Sequence, residues 1–129
     1  ARLRSAEKWI PVGGALPDTV RGNAMLAGDA AGHVMACNGG GIPTAVVCGR
    51  IAGETAAAHV RGRCPLGAYD RRWREALGTE LQRALTTRRI FDVISAWEPA
   101  QEVAMVLTGV QGMRNLMTCR PWYRAGPLA

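Results

Sequence analysis

The residues best suited to chemistry lie between Gly28 and Pro43, where an aspartate precedes a run of three glycines by ten positions. Asp29 follows the short apolar stretch Met25–Ala27, and its carboxylate could accept hydrogen bonds from sugar-like hydroxyls. The glycines Gly39–Gly41 open a predicted helix. Because glycines let a ligand approach the backbone and a helix N-terminus carries unpaired N–H groups, this end favours an anion. The pattern predicts a site for a polyol-linked, anionic cofactor.

Each half of this pattern also has an ordinary structural explanation. Gly28 and Asp29 could form a turn, and the glycines could be a plain loop; together, before a helix rich in small residues, they favour a ligand site. Two side chains in the segment are candidates for catalysis. His33 could donate a proton near a bound ring, or could be a loop residue hydrogen-bonded to backbone. Cys37 could be a redox or substrate-contacting thiol, or a small packed residue.

The cysteines and histidines give no support to a metal site. The four cysteines contain no C-x-x-C pair, and the two histidines complete no ligand set, which argues against zinc and iron–sulfur centres. With 48% apolar residues the chain can form a core without a disulfide framework, so a reducing, cytoplasmic compartment is expected. No apolar run reaches the roughly 18–20 residues that a membrane-spanning helix needs.

The elements that position the segment begin with two predicted strands. Lys8–Val12 is predicted as one short strand, and Met25–Ala27 as a buried strand that leads into the loop at 32–41. Thr44–Val60 is predicted as a helix with small residues along one face. Two of these are glycines, each of which costs roughly 1 kcal/mol of helix propensity relative to alanine, so close packing against a large neighbour is expected.

The second half of the chain is predicted to be entirely helical. A second helix is expected over Leu66–Ala96, a third over Pro99–Thr108, and a last short helix as far as Thr118, with glycines interrupting the last two. The second helix carries a predicted buried stripe of Leu77, Leu81, Ala84, Leu85, Ile90 and Ile94. The expected fold class is a helix-rich α+β fragment with three to four helices and one or two short N-terminal strands.

The Gly-Asp-Ala-Ala-Gly sequence at 28–32 and the Gly-Gly-Gly-Ile sequence at 39–42 resemble a known flavoprotein motif. They are similar to the second flavin-binding motif of the aromatic-hydroxylase-like flavoproteins, and most closely to that of the geranylgeranyl reductase family. The similarity continues through Gly49–Glu54 and, more loosely, through Tyr69–Trp73. Ala36 departs from the pattern, since family members commonly carry a proline there, and this departure bears on substrate specificity.

The resemblance implies an FAD site. Asp29 would bind the ribityl hydroxyls, Ala30 would lie near the pyrophosphate, and the amides of Gly40, Gly41 and Ile42 would face the pyrimidine edge of the flavin ring. The implied cofactor-binding residues are Gly28, Asp29, Ala30, Gly39, Gly40, Gly41 and Ile42.

The same resemblance implies a reductase that saturates isoprenoid (geranylgeranyl) double bonds, with a prenyl-lipid or prenyl-diphosphate substrate from membrane ether-lipid synthesis. The family's Gly-x-Gly-x-x-Gly motif and middle region do not occur in the sequence. The chain is therefore expected to be a C-terminal portion that is inactive without the rest of its polypeptide. Residues 1–60 would complete an FAD-binding domain of a larger α/β fold, and residues 61–129 would form a C-terminal helical region.

An apolar series near the C-terminus leaves two interpretations open. It could form an adaptable wall for a long prenyl chain, or it could reflect ordinary helix packing. Its members are Met105, Val106, Leu107, Val110, Met113, Leu116 and Met117, flanked by Trp97 and Trp122.

The net charge of +6, carried almost entirely by arginine, also has more than one explanation. It could mark peripheral contact with an anionic membrane surface, or simply a solvated helix surface. Two alternative functions remain: another flavoprotein of the same group, such as a monooxygenase or dehydrogenase, and a stand-alone basic module that binds phosphate or nucleic acid. The scattered aromatic residues argue against nucleic acid, which needs a clustered stacking platform.

Overall fold

The computed structural model describes residues 7–117. Within that range it contains four α-helices and a two-stranded antiparallel sheet, which confirms the predicted helix-rich α+β fold class. The elements are β1 (Val20–Arg21), β2 (Ala24–Met25), a 3₁₀-helix (Gly28–Ala31), α1 (Ile42–Val60), α2 (Ala68–Trp73), a π-helical turn (Arg74–Gly78), α3 (Thr79–Ser95) and α4 (Glu98–Met117).

The strand predictions were only partly right. Residues 8–12 form no strand, and Trp9 is fully exposed. Only Met25 of the second predicted strand lies in a strand: β2 (Ala24–Met25) pairs with β1 so that Val20 lies opposite Met25. Gly22 adopts a φ of 58° in the intervening turn and so closes a tight hairpin. This local pairing replaces the expected buried strand and leaves Leu26 exposed.

Helix α1 buries one face and exposes the other. Its buried residues are Thr44, Cys48, Ile51 and Thr55, which recur at three- and four-residue spacing. Within the described residues nothing packs against Gly49 and Gly53, because both glycines lie on the opposite, exposed face. A Cβ built at either position would meet nothing within 4 Å.

The core forms where α1 meets α2 and the start of α3. Cys48, Ile51, Tyr69, Trp73 and Leu81 make up its buried cluster. Burial raises the pKa of the Cys48 thiol to about 11 and is the main reason that the pKa of Tyr69 rises to about 12. Both groups therefore stay neutral at physiological pH, as side chains in an apolar core should.

Two side chains of α2 also anchor the hairpin. The Tyr69 hydroxyl donates to the carbonyl of Leu26 at 2.9 Å, and the Trp73 indole N–H donates to the Thr19 hydroxyl at 2.9 Å. Because these bonds join residues 43 and 54 positions apart, they fix the hairpin and the following loop against the helices.

The later helices follow the sequence pattern closely. The predicted helix Leu66–Ala96 is an almost continuous run from α2 to α3, with the π-helical turn between them. Leu81 and Ala84 are buried as predicted, but Ile90 is 52% exposed, so the predicted stripe ends early. The predicted interruption of the last helix is confirmed at Gly109, whose φ of 57° and ψ of −170° break α4. Among the described residues, no helix is both long and apolar enough to cross a bilayer.

Candidate functional site

The two halves of the glycine-rich segment meet in space. Gly28–Ala31 forms a 3₁₀-helix that Gly32 ends with a φ of 68°. Asp29 lies exposed on this turn, and a Cβ built at Gly41 would lie 2.8 Å from its Oδ1 atom. The structure therefore brings an acceptor carboxylate directly against the residue that precedes α1.

The start of α1 offers backbone donors to a ligand. Gly41 occupies the N-cap position and no side chain caps the helix, while Pro43 stands in its first turn. The first N–H groups of an α-helix have no partner within the helix, so those of the first turn are available to an anion. Gly41 and Ile42, two of the implied cofactor-binding residues, form this end of the helix.

The loop before the helix is folded back on itself. The Met35 N–H donates to the Gly40 carbonyl at 2.9 Å, and the Gly39 N–H donates to the Met35 carbonyl at 2.8 Å. Gly39 has a φ of 70°, a conformation that glycine adopts without strain. The Gly40 N–H donates to Asn38 Oδ1 at 2.8 Å, so Asn38 engages one of the amides that the resemblance assigns to the flavin.

Thr44 ties the ends of this loop together, a role that the sequence did not reveal. Its buried hydroxyl makes short contact with the His33 carbonyl and also lies 2.9 Å from the Gly41 carbonyl. From the sequence alone, Thr44 at the third position of α1 looks like one more member of the small-residue face. Its tertiary bond to His33 fixes the distance between the 3₁₀-helix and the helix N-terminus.

His33 lies in the core under the loop. Its side chain is fully buried, its ring centroid lies 4.4 Å from that of Trp73, and neither ring nitrogen has a hydrogen-bond partner among the described residues. Burial, and then the positive charge of Arg74, lower the pKa of His33, while Asp70 acts in the opposite direction. The ring is not hydrogen-bonded to backbone as one interpretation held. Its proposed role as a proton donor stays a prediction.

The other candidates take different positions. Cys37 is a half-buried free thiol, and its redox or substrate-binding role stays a prediction. Ala30 and Asp29 are exposed on the 3₁₀-helix. Gly28 is buried, and a Cβ built on it would lie 3.1 Å from the Cβ of Ala45 in α1. Gly28 therefore serves the packing of turn against helix.

The hydrogen-bond network at Asp70 was not predicted from the sequence, in which Tyr69–Trp73 stood out only as a loose part of the family resemblance. Burial acts to raise the pKa of Asp70, but hydrogen bonds from the Thr19 hydroxyl and N–H, from Trp73, and the charge of Arg74 outweigh it and lower the pKa overall. The Thr19 hydroxyl lies 2.5 Å from the carboxylate. This network links the residue before β1 to helix α2.

The residues at that surface fit a flavin nucleotide. Such a ligand offers hydroxyls to an exposed carboxylate and negative charge to a helix N-terminus. A side chain at Gly41 would fill the space beside Asp29, so glycine keeps the approach open.

Several known proteins that are similar to this chain are named as reductases. Digeranylgeranylglycerophospholipid reductase 2 of Methanothermobacter thermautotrophicus is 42% identical over 88 residues, covering 64% of this chain and 23% of that protein. The enzyme of the same name from Methanopyrus kandleri is 39% identical over 90 residues, covering 67% of this chain and 23% of the relative. The chain is thus similar to a segment of proteins named digeranylgeranylglycerophospholipid reductase.

A third digeranylgeranylglycerophospholipid reductase, from Methanothrix thermoacetophila, is 40% identical over 86 residues, covering 64% of this chain and 22% of that protein. The chain thus spans about a quarter of the length of these curated reductases. The names indicate an oxidoreductase for the family. Neither a protein-family profile nor a solved structure matches the chain.

Three members of the apolar series near the C-terminus, and Trp97 beside it, are mostly exposed in the described part of the chain. Val106, Leu107 and Val110 are 80% to 88% exposed, and Trp97 is 67% exposed. The side chains of Met105, Met113, Leu116 and Met117, and the whole of Trp122, lie outside the described residues. For the three exposed residues of α4, packing within the described chain is therefore wrong as an explanation.

Proposed function

We propose that this segment forms the ribityl- and ring-binding half of an FAD site in a reductase that saturates isoprenoid double bonds of membrane ether lipids. The observation that carries the proposal is the exposed Asp29 carboxylate placed against Gly41 at the uncapped start of the 19-residue helix α1. When bound, FAD would supply the hydride for each reduction.

The chain's own residues would bind and orient the cofactor. The Asp29 carboxylate would accept hydrogen bonds from hydroxyls, and the first-turn amides of α1 would stabilise negative charge through the helix dipole. The Thr44 hydroxyl donates to the Gly41 carbonyl and so fixes Gly41 at the start of α1, whereas the Gly40 N–H is already used by Asn38 Oδ1. Preorganised dipoles of this kind stabilise charge without reorganising when it appears.

The relatives' names and the exposed residues of α4 support the proposed substrate class. The matched proteins are named for digeranylgeranylglycerophospholipid, which supports a prenyl lipid as substrate. The exposed Val106, Leu107 and Val110 would suit contact with a long apolar chain, and exposed arginines would suit a lipid phosphate at a membrane surface.

The experiment uses a chimera in which this chain replaces the matching segment of the Methanothermobacter reductase. Asp29→Ala should weaken FAD binding by about 10- to 100-fold, because hydrogen bonds to a charged group contribute roughly 1.5–3 kcal/mol. Flavin fluorescence titration measures the affinity. The matched control is Asp18→Ala, which removes an exposed carboxylate outside the glycine-rich segment 28–43. Equal FAD affinity in the Asp29 and Asp18 variants would contradict the proposal.

A second expectation concerns the 129-residue chain by itself. It should not reduce a prenyl substrate when supplied with FAD and a reductant, because the residues that bind the adenine half of the cofactor in this family are not in its sequence. Product analysis by mass spectrometry measures the added hydrogens. Turnover by the purified chain would overturn the idea that this is only half of a site.

A further inference from the structure

Helix α1 carries a continuous apolar stripe on the face opposite the core, which we call the outer stripe. Its members recur at three- and four-residue spacing and are all exposed: Ile42, Val46, Gly49, Gly53, Ala57 and Val60. The three large members are 81%, 67% and 86% exposed in chain order. The stripe runs the full length of the helix, from its first residue to its last.

The composition of the outer stripe is that of a packed surface. A helix that is apolar on both faces is normally buried on both faces. The glycines in its middle weaken the helix and have open space above them, so they would let another backbone approach closely. Arg50, Glu54 and Arg61 lie along one border, which gives the stripe the polar rim of an interaction site.

The length of the relatives indicates what covers this face. The matched segment makes up 23% of the Methanothermobacter reductase, so more than three quarters of that fold lies outside it. The outer stripe begins at Ile42, the residue after Gly41, and whatever covers it must therefore lie beside the candidate flavin site.

We propose that the outer stripe is the docking face for the rest of the reductase fold, meaning the part of the relatives that lies outside the matched segment. Apolar contact along α1 places that part next to Gly41, where it completes the cofactor site. The docking itself stands on the exposed stripe and the family match, and only its effect on the cofactor rests on the proposed function.

The test places the photo-crosslinking residue benzoylphenylalanine at Val46 in the chimera with the Methanothermobacter reductase. Irradiation should join position 46 to peptides from outside the matched segment, identified by mass spectrometry. The control places the same residue at Arg83, exposed on α3, and should give at least tenfold fewer such products. Equal yields from the two positions, or products that join only two copies of the chimera, would overturn the proposal.

A second pair of variants guards against misfolding. Val46→Asp should leave the unfolding midpoint of the 129-residue chain unchanged and lower that of the chimera by at least roughly 4 °C. Val93→Asp, at a position 76% exposed on α3, should change neither. Tolerance of both variants by the chimera would contradict docking. Since neither readout involves flavin, a chimera that docks without binding FAD refutes only the flavin proposal.

Discussion

The hairpin, loop and first two helices differ sharply from the last two helices in how they are held. In the first region, side chains join distant parts of the chain, as Trp73 does with Thr19 and Tyr69 with Leu26. In the second, side chains such as Arg88, which donates to Asp92 four residues later, bond within their own helix. Large apolar side chains there, among them Val93 and Val110, are mostly exposed.

The difference shows which part of the chain has its geometry fixed by long-range contacts. Long-range bonds fix the geometry around Asp29 and Gly41, whereas helices α3 and α4 depend more on local propensity and leave apolar surface uncovered. Substitutions of similar size should therefore have unequal effects on the free energy of unfolding in the two regions.

The largest effect is expected from truncating a buried tryptophan. Trp73→Ala should lower the free energy of unfolding by about 3–5 kcal/mol, because it removes a core side chain, its bond to Thr19 and its contact with His33. Urea unfolding followed by circular dichroism measures the change. Trp97→Ala, in the second region and 67% exposed, should cost less than about 1 kcal/mol. Similar losses of unfolding free energy in the two variants would contradict the proposed difference between the two regions.

A backbone substitution should have the next largest effect. Gly32 has a φ of 68°, and an added Cβ would lie 2.3 Å from the Gly14 carbonyl oxygen, so Gly32→Ala should cost about 2–4 kcal/mol from strain and overlap together. Gly62 has nearly the same φ, 69°, with nothing within 4 Å of its Cβ position. Gly62→Ala isolates the strain and should cost only about 1 kcal/mol in the same unfolding assay. A larger loss at Gly62 than at Gly32 would show that the loop is not tightly packed.

The smallest effect is a dependence on pH through His33. Its pKa is lowered from 6.5, chiefly by burial, so the unfolded chain binds a proton more readily than the folded chain. Stability is therefore fully present above 6.5 and falls as the pH drops toward the folded-state pKa. His33→Leu should reduce the loss of unfolding midpoint between about pH 7.5 and about pH 5.5.

The control for this titration is His59→Gln, which alters the exposed histidine whose Nδ1 lies 3.0 Å from the Cys64 carbonyl. That variant should keep the acid-induced loss seen in the parent chain. An unchanged loss in His33→Leu would mean that other groups govern the response to acid.

Much of the helical framework could be read from the sequence. Proline at position 43, the glycines before it and the break at Gly109 lie where helix α1 begins and where α4 is interrupted. The spacing of Leu81 and Ala84 correctly placed the buried side of α3. Residue types alone also singled out the segment that contains Asp29 and Gly41, whose role as a cofactor site stays a prediction.

The errors share one origin. The face occupied by Gly49 and Gly53 was recognised as a packing surface, but periodicity does not say which neighbour lies against it. The hairpin at Gly22 was missed because an apolar pair of residues reads equally well as part of a larger sheet. Ile90 was placed in the core because its spacing fits the stripe, although the described residues leave it 52% exposed.

By itself, then, the sequence determined the helices, their breaks and the glycines that a ligand could approach, because each depends on residues within a turn or two of one another. Only the tertiary structure decided that Asp29 lies against Gly41, that Thr44 ties this corner to His33, and that the His33 ring is buried on Trp73. Those contacts join residues 11 to 40 positions apart, and their geometry is set by packing that no local pattern encodes.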